Sequence, residues 1–282
     1  MRQRCWRRSR LDEVVVKRQV ERHRHEDHAH HAFPSGQRSV LLEVVTAPSP
    51  VGPAHRSIRW SKQGQCEDIV YIPAENSESD PDVLYNYIDE NPFGILITNA
   101  PAPGLVATHL PLLLDRRVAP HGMLTGHIAR RNQQHRVARN GDEALAVFSR
   151  HEAYVRPGWY ESKQQHGRVV PTWNYVAVHV YGRVRFIDDR AFVREQVERL
   201  TSFMEQHRTA PWKVEDAPPE YLRRLEGAIV GIEFAITRLE GSWKLSQDRS
   251  DGDVRGVVQG LQASGTPGDR DVANVMRSRL NL

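Results

Sequence analysis

The stretch Val170–Ile187 constrains the fold more than any other part of the sequence. Trp173 and Tyr175 alternate with Thr172, Asn174 and Val176, so in an extended chain the rings lie on one face and the small or branched groups on the other. The β pattern continues through Tyr181, Val184 and Phe186. The segment is long enough for one bent strand, or for two with a bulge near Gly182. It also carries chemistry. Rings stack on a flat ligand, and Asn174 and Thr172 offer donors and acceptors to ring heteroatoms. A strand packed into a core shows the same pattern, and alternation alone does not separate the two readings.

The chain beyond residue 70 supplies further elements. Phe93–Thr98, Leu105–Leu114, Met123–Ile128, Ala144–Phe148 and Val230–Leu239 read as strands. Ser79-Asp80-Pro81 has the signature of a helix start, with Val83, Leu84, Tyr87 and Ile88 as the apolar face and Asn91-Pro92 as the end. Asp189 caps a helix whose Val193, Val197, Leu200 and Met204 share a face. Pro218-Pro219-Glu220 opens another, with Leu222, Leu225 and Ile229 inward. A short helix is expected over Arg130–Arg139, a loop over Pro157–Val169, and terminal helices over Asp253–Leu261 and Asp271–Leu280. Many strands without regular strand–helix alternation predict a mainly β, α+β fold, a barrel with added helices rather than a doubly wound sheet.

Charge divides the chain near residue 70. The whole carries +4, but residues 1–69 hold 13 Lys/Arg against 8 Asp/Glu, and residues 70–282 hold 26 against 27. A generic DNA-binding surface leaves a positive excess in the folded part, and here that part is at −1. No helix-turn-helix pattern is evident either. The densest basic run, Arg130, Arg131, Arg136 and Arg139, keeps local contact with DNA phosphates open. Residues 1–69 are rich in Arg, His, Ser and Pro, and Pro48–Pro53 has no period, so this segment is expected to be disordered. Its histidines, His23, His25, His28, His30 and His31, could ligate a transition metal in vitro, but chance composition is the favoured account of them. Both cysteines, Cys5 and Cys66, also lie there, which suits a cytoplasmic protein. No apolar run reaches the roughly 18 residues that a membrane span needs.

Several short motifs occur in a fixed order: Tyr71-Ile72-Pro73, His109-Leu110-Pro111, Gly126-His127-Ile128-Ala129-Arg130, Trp159-Tyr160-Glu161-Ser162-Lys163, Pro171-Thr172-Trp173-Asn174-Tyr175, Ala228–Glu233 and Gly241-Ser242-Trp243-Lys244-Leu245-Ser246-Gln247. Together they resemble the PaiB-like family of FMN-binding negative transcriptional regulators, over roughly residues 70–262. The resemblance implies a split β-barrel related to the pyridoxamine-phosphate oxidase flavoproteins, and a homodimer with FMN near the subunit interface. Taken with the composition break and the terminal helix pattern, it suggests three regions: an N-terminal extension over 1–69, disordered or an annotation artefact with the true start at Val70; the split barrel with helical additions over 70–262; and a C-terminal helical tail over 263–282. The chain departs from the family pattern at Arg156-Pro157-Gly158, where Ser-Pro-Ser is usual, at Asp248, where Asn is usual, and at Arg131, where a small residue is usual.

Within that frame the candidate cofactor residues fall into groups. His127, Arg130, Arg131 and Asn132 lie where a strand hands over to a helix, a place whose free N–H groups and guanidinium charges suit a phosphate. A solvated basic turn has the same composition. Trp159, Tyr160 and Lys163 sit on a segment bounded by Pro and Gly, and either contact a ligand or plug the barrel or the dimer seam. Thr172, Trp173 and Asn174, with Lys244, Ser246 and Gln247 after the last core strand, would serve the flavin ring. His109 and His179 read as hydrogen-bonded strand residues. No nucleophilic triad, P-loop or CxxC is present, so any chemistry belongs to the bound flavin. The two functions open at this point are a PaiB-like regulator and a flavin-dependent oxidoreductase on the same scaffold.

Overall fold

The computed structural model describes residues 71–281. The expectations for residues 1–69, including the cysteines and the tail histidines, lie outside the described residues. The strands are β1 (Ser77–Glu78), β2 (Phe93–Asn99), β3 (Leu105–Pro111), β4 (Leu113–Asp115), β5 (Met123–Ala129), β6 (Glu143–Val155), β7 (Thr172–Ile187) and β8 (Ile229–Lys244). They form one antiparallel sheet in the order β3-β2-β6-β7-β8-β5-β4, with β1 added beside β8. The edge strands β3 and β4 follow one another in the chain with only Leu112 between them, and Leu112 is fully buried. One edge is thus carried round to the other, and the sheet curls into a barrel. Gly126 permits the approach, since a Cβ there would stand 2.9 Å from the Pro111 carbonyl oxygen.

Alternation in β7 sends Asn174, Val176, Val178 and Val180 into the barrel. They meet Leu96, Phe148, Ile232 and Phe234, all fully buried. Each large apolar side chain buried in this way contributes about 1.5–3 kcal/mol. The β7 segment is one strand, and its register with β8 slips between Tyr181 and Gly182, near the point where the two-strand reading put a bulge. Glycine is required there because a Cβ would come within 2.3 Å of the Phe234 ring. A second irregularity falls in β6 between Ser149 and Glu152.

The helix α1 (Pro81–Glu90) starts as its sequence demands, with Pro81 in the first turn and the Asp80 side chain accepting from the Asp82 N–H at 2.9 Å. The helix expected over Arg130–Arg139 shrinks to α2 (Gln134–Val137). The cause is Asn132, whose Oδ1 accepts from the Gln134 N–H and whose amide donates to Thr108 Oγ1, both at 2.9 Å, fixing the preceding residues as a turn. The loop expected over Pro157–Val169 contains a 3-10 turn at Pro157–Trp159 and the short helix α3 (Ser162–His166).

Asp189 caps α4 (Arg190–Glu205), as expected, but the buried residues are Val193 and Gln196, and Met204 is 54% exposed. Gln196 is drawn inward by its 2.6 Å hydrogen bond to His127 Nδ1. None of α5 (Pro219–Glu226) is buried, and Leu225 faces solvent. Charge helps to hold α5, through the 2.9 Å pair of Glu226 with Arg194 of α4. The terminal helices α6 (Asp251–Ala263) and α7 (Pro267–Leu280) are integral to the core. They bury Val254, Val257, Val258, Leu261, Val272, Ala273 and Met276.

Candidate functional site

The candidate residues gather at two places along β8. At its start, Ala129 of β5 pairs with Ile229, which sets the Arg130 turn beside the end of β7. Arg130 spends its guanidinium on the protein. Nη1 and Nη2 each donate to the Asp188 carboxylate at 2.6 Å, Nε donates to Gly227 O at 2.8 Å and Nη2 to Ile229 O at 3.2 Å. That bidentate grip holds the Asp188 carboxyl below its usual pKa range. His127 is turned under α4 onto Gln196, and Asn132 is committed to Thr108 and the α2 backbone. Arg131 is different: it is exposed, with no side-chain partner among the described residues. A phosphate arriving at this turn would meet Arg131 as its free fixed charge.

At the far end of β8, Tyr175 pairs with Lys244. Lys244 Nζ donates to Thr172 Oγ1 at 2.8 Å. Asn174 is fully buried, exchanges hydrogen bonds with Ser246 Oγ at 3.0 and 3.1 Å, and lies 3.4 Å from the Met276 sulfur of α7. Ser246 holds a left-handed φ of +67° to make this pair, a conformation a non-glycine residue adopts at some cost. Gln247 folds back on the strand end, accepting from the Leu245 N–H at 2.6 Å and donating to the Trp243 carbonyl. Trp243 and Lys244, expected just past the last strand, are its final residues, and Trp243 is buried. Trp173 points the other way from Asn174 and is 51% exposed, edge-on to Tyr154 at 6.0 Å. These two rings form an open aromatic surface.

Trp159 and Tyr160 are seated on α6. Gly252, Gly256 and Gly260 recur every fourth residue and so line one face of that helix. A Cβ at Gly260 would stand 2.3 Å from the Trp159 ring, one at Gly256 2.1 Å from the Trp159 carbonyl oxygen, and one at Gly252 2.0 Å from the Glu161 carboxylate. Gly256 and Gly260 lie in the helix interior, where a glycine costs roughly 1 kcal/mol relative to alanine, and the close seat for residues 159–161 offsets that. Asp253 of α6 completes it by accepting from the Ser162 N–H and Oγ, both at 2.8 Å. Burial works to raise the Asp253 carboxyl, but these bonds, with Ser250 and Arg249, outweigh it and hold the pKa below the usual range. Tyr160 is buried, its hydroxyl has no partner among the described residues, and Arg249 lies over its ring at 5.4 Å. Burial pushes its phenol pKa up. Lys163, in α3, is exposed. Beside Trp159 a pocket of about 420 Å3 is lined by Tyr154, Arg156, Gly260, Ser264 and Asp269.

The structure thus brings Thr172, Trp173, Asn174, Lys244, Ser246 and Gln247 together, keeps Trp159, Tyr160 and Lys163 on an adjoining seat, and sets His127, Arg130, Arg131 and Asn132 apart. The groups left available would suit a flavin nucleotide: a free guanidinium, Arg131, at one place, and at the other the open rings of Trp173 and Tyr154 with the Lys244 ammonium and the Thr172 hydroxyl, while Asn174, Ser246 and Gln247 are closed on the protein itself. Sequence reasoning missed Tyr154, Arg249, Asp253 and Met276. The fourfold glycine spacing was a readable signal for the α6 seat, whereas Met276 becomes a neighbour of Asn174 only through the packing of α7.

A family model described as "Putative FMN-binding domain" matches residues 70–238. An uncharacterized protein of Emericella nidulans is 34% identical over 246 residues, covering 74% of this chain and 97% of that one. The protease synthase and sporulation protein PAI 2 of Bacillus subtilis is 30% identical over 211 residues, covering 75% and 98%. Among solved structures, the FAD and heme binding protein from Mycobacterium smegmatis is similar over 68% of this chain and 80% of that one, with a TM-score of 0.46 and 16% identity. The family match extends from just before the first described residue into β8 and covers more than half of the sequence, so the chain belongs to the PaiB-like family of FMN-binding proteins.

Proposed function

We propose that this protein is a PaiB-like, FMN-binding negative regulator of transcription, acting in the cytoplasm as a homodimer whose flavin sites are each built from two subunits. The observation that carries this reading is the separation of the two clusters. They lie at opposite ends of the β8 strand Ile229–Lys244, a contour of roughly 50 Å at about 3.3 Å per residue. The two clusters are therefore read as parts of different flavin sites. In a twofold dimer, the Arg131 turn of one subunit can face the Trp173 end of the other. The outer sheet face supports a second copy. Ile95 and Ile97 of β2 pair with Val147 and Leu145 of β6, all half-buried, and the row runs out to the exposed Phe93 and Leu105. Isologous burial of such a face is the usual device of a twofold dimer.

Bound FMN would supply the redox and spectroscopic chemistry. The protein supplies the phosphate charge at Arg131, the ring surface at Trp173 and Tyr154, and polar groups at Lys244 and Thr172. With the net charge of residues 70–282 at −1, duplex DNA is expected to bind weakly and mainly through phosphates, and such binding falls steeply with salt. A partner regulator that reads the flavin state is therefore the mechanism this reading favours. The test is purification of the chain, an absorbance spectrum, the mass of the released ligand and the particle mass in solution. Released FMN with a dimeric mass supports the proposal, and a flavin-free monomer that takes up no added FMN overturns it. Turnover of a reduced nicotinamide cofactor by the flavin-loaded protein would favour the oxidoreductase reading instead.

A further inference from the structure

A second pocket, of about 440 Å3, lies between α1 and α7. Its floor includes Trp243, which points to the opposite face of β8 from Lys244 because successive strand residues alternate. None of the residues that line it is among the candidate flavin residues. Tyr87 of α1 and His151, at the irregularity in β6, supply two more rings. The Tyr87 ring is 5.4 Å from Trp243 at an interplanar angle of 68°, and 5.7 Å from His151 at 59°. Three inclined rings make part of a box.

The polar groups around the box decide which charge it suits. The Tyr87 hydroxyl is already used, donating to Val176 O at 3.3 Å and accepting from the Arg150 N–H at 3.1 Å. Arg279 lines the pocket but is ion-paired to the buried Glu78. Glu90 also lines it, and no ion pair or side-chain hydrogen bond engages its carboxylate among the described residues. His151 faces Glu90 of α1, Asp271 of α7 and Arg150 of its own strand, and burial holds its pKa below 6.5, so it stands as a neutral ring at pH 7. Glu90 and Asp271 outnumber Arg150, so the charge around the rings is negative and lies beside ring faces that are themselves negative. An organic cation is attracted by both, although Glu90 is itself exposed. The volume falls within the range of small-molecule sites. Among the described residues no group of three metal-ligating side chains occurs, so the donor set is not that of a metal centre.

We propose that this pocket binds a small organic ammonium ion, held by the faces of Tyr87, His151 and Trp243 and by the Glu90 carboxylate. The proposal is independent of flavin binding. Choline is a suitable probe, with 3,3-dimethylbutan-1-ol as an uncharged molecule of the same shape. Calorimetry or saturation-transfer NMR on the full chain should show choline binding about tenfold or more tightly than the neutral isostere, in line with a cation–ring contact backed by a carboxylate. Glu90→Gln should weaken choline about tenfold, leave the isostere unchanged and leave the flavin content of the protein unchanged. Glu75→Gln, at an exposed position, serves as the control and should change nothing. Choline affinity should also fall as acid protonates His151. Absence of choline binding, equal affinity for the two probes, or an unaltered choline affinity in Glu90→Gln would each overturn the proposal.

Discussion

The two ends of the barrel hold their candidate residues in opposite ways. At the Arg130 end the fixing is electrostatic and near the surface: a guanidinium grips Asp188 and two carbonyls, and the neighbouring Arg131 is left free. At the Trp173 end the fixing is steric and buried. Asn174 and Ser246 are sealed under Met276, Trp159 is seated on a row of glycines, and Trp173 and Tyr154 are left open. In each case some side chains are committed to structure and a neighbour is left available. The residue types that look most functional in the sequence are therefore not always the ones left available.

That contrast has measurable consequences. The largest is expected at the glycine seat. Gly260→Val drives a branched side chain into the Trp159 ring, and overpacking of this kind typically costs about 1–3 kcal/mol. Valine in place of the helix glycine recovers only a few tenths of that. Denaturant unfolding should show the loss, and Trp159 should no longer be held against α6. A variant as stable as the wild type would mean that the seat is loose and that α6 does not position residues 159–161.

Next comes Arg131→Ala. Removing a free guanidinium from a phosphate contact should weaken FMN by one to two decades, about 1.4–2.8 kcal/mol, with no change in the stability of the flavin-free protein. Arg130→Ala should do the reverse, lowering the melting temperature in the absence of flavin because it releases Asp188. If the two variants exchange these phenotypes, the assignment of structural and ligand roles within the turn is inverted.

The smallest effect is a dependence on pH. The Asp188 carboxyl is held below its ordinary value of 3.8 by the hydrogen bond from Arg130, with their charge attraction adding to it. Its folded pKa is depressed, so its contribution to stability is fully present above pH 3.8 and is lost as pH falls through the folded value. The stability gap between wild type and Arg130→Ala should therefore be constant near neutrality and narrow below pH 4. A gap that persists unchanged in acid would show that the carbonyl contacts to Gly227 and Ile229, rather than Asp188, carry the clasp.

Much of the architecture was legible because it rests on local patterns. The β7 alternation, the Gly182 bulge, the Asp80-Pro81 and Asp189 helix starts and the two terminal helices are each written within a few residues. What was not legible depends on distant partners. Asp188 lies 58 positions from Arg130, and nothing around Arg130 announces that its charge is already matched. Asn132 ended the expected Arg130–Arg139 helix by reaching Thr108, 24 positions away. Gln196, a polar residue on an otherwise apolar stripe, was drawn inward by His127, and Met204 was left outside. The burial of α7 depends on the closed barrel offering it a surface, which no window of sequence contains. The separation of the two clusters follows from strand length, and the sixteen residues of β8 were only partly recognised as strand, since the expected element stopped at Leu239.

Whether each flavin site draws on two subunits can be read from mixed dimers. Arg131→Ala and Trp173→Ala would each be made as homodimers and then mixed under conditions that exchange subunits, with FMN titrated by fluorescence before and after. A site shared between subunits predicts weak binding by either homodimer and recovery on mixing. In each heterodimer one of the two sites then regains both the intact Arg131 and the intact Trp173, while the other has lost both. No recovery after verified subunit exchange would contradict the account, because it would place Arg131 and Trp173 on the same flavin within a single chain.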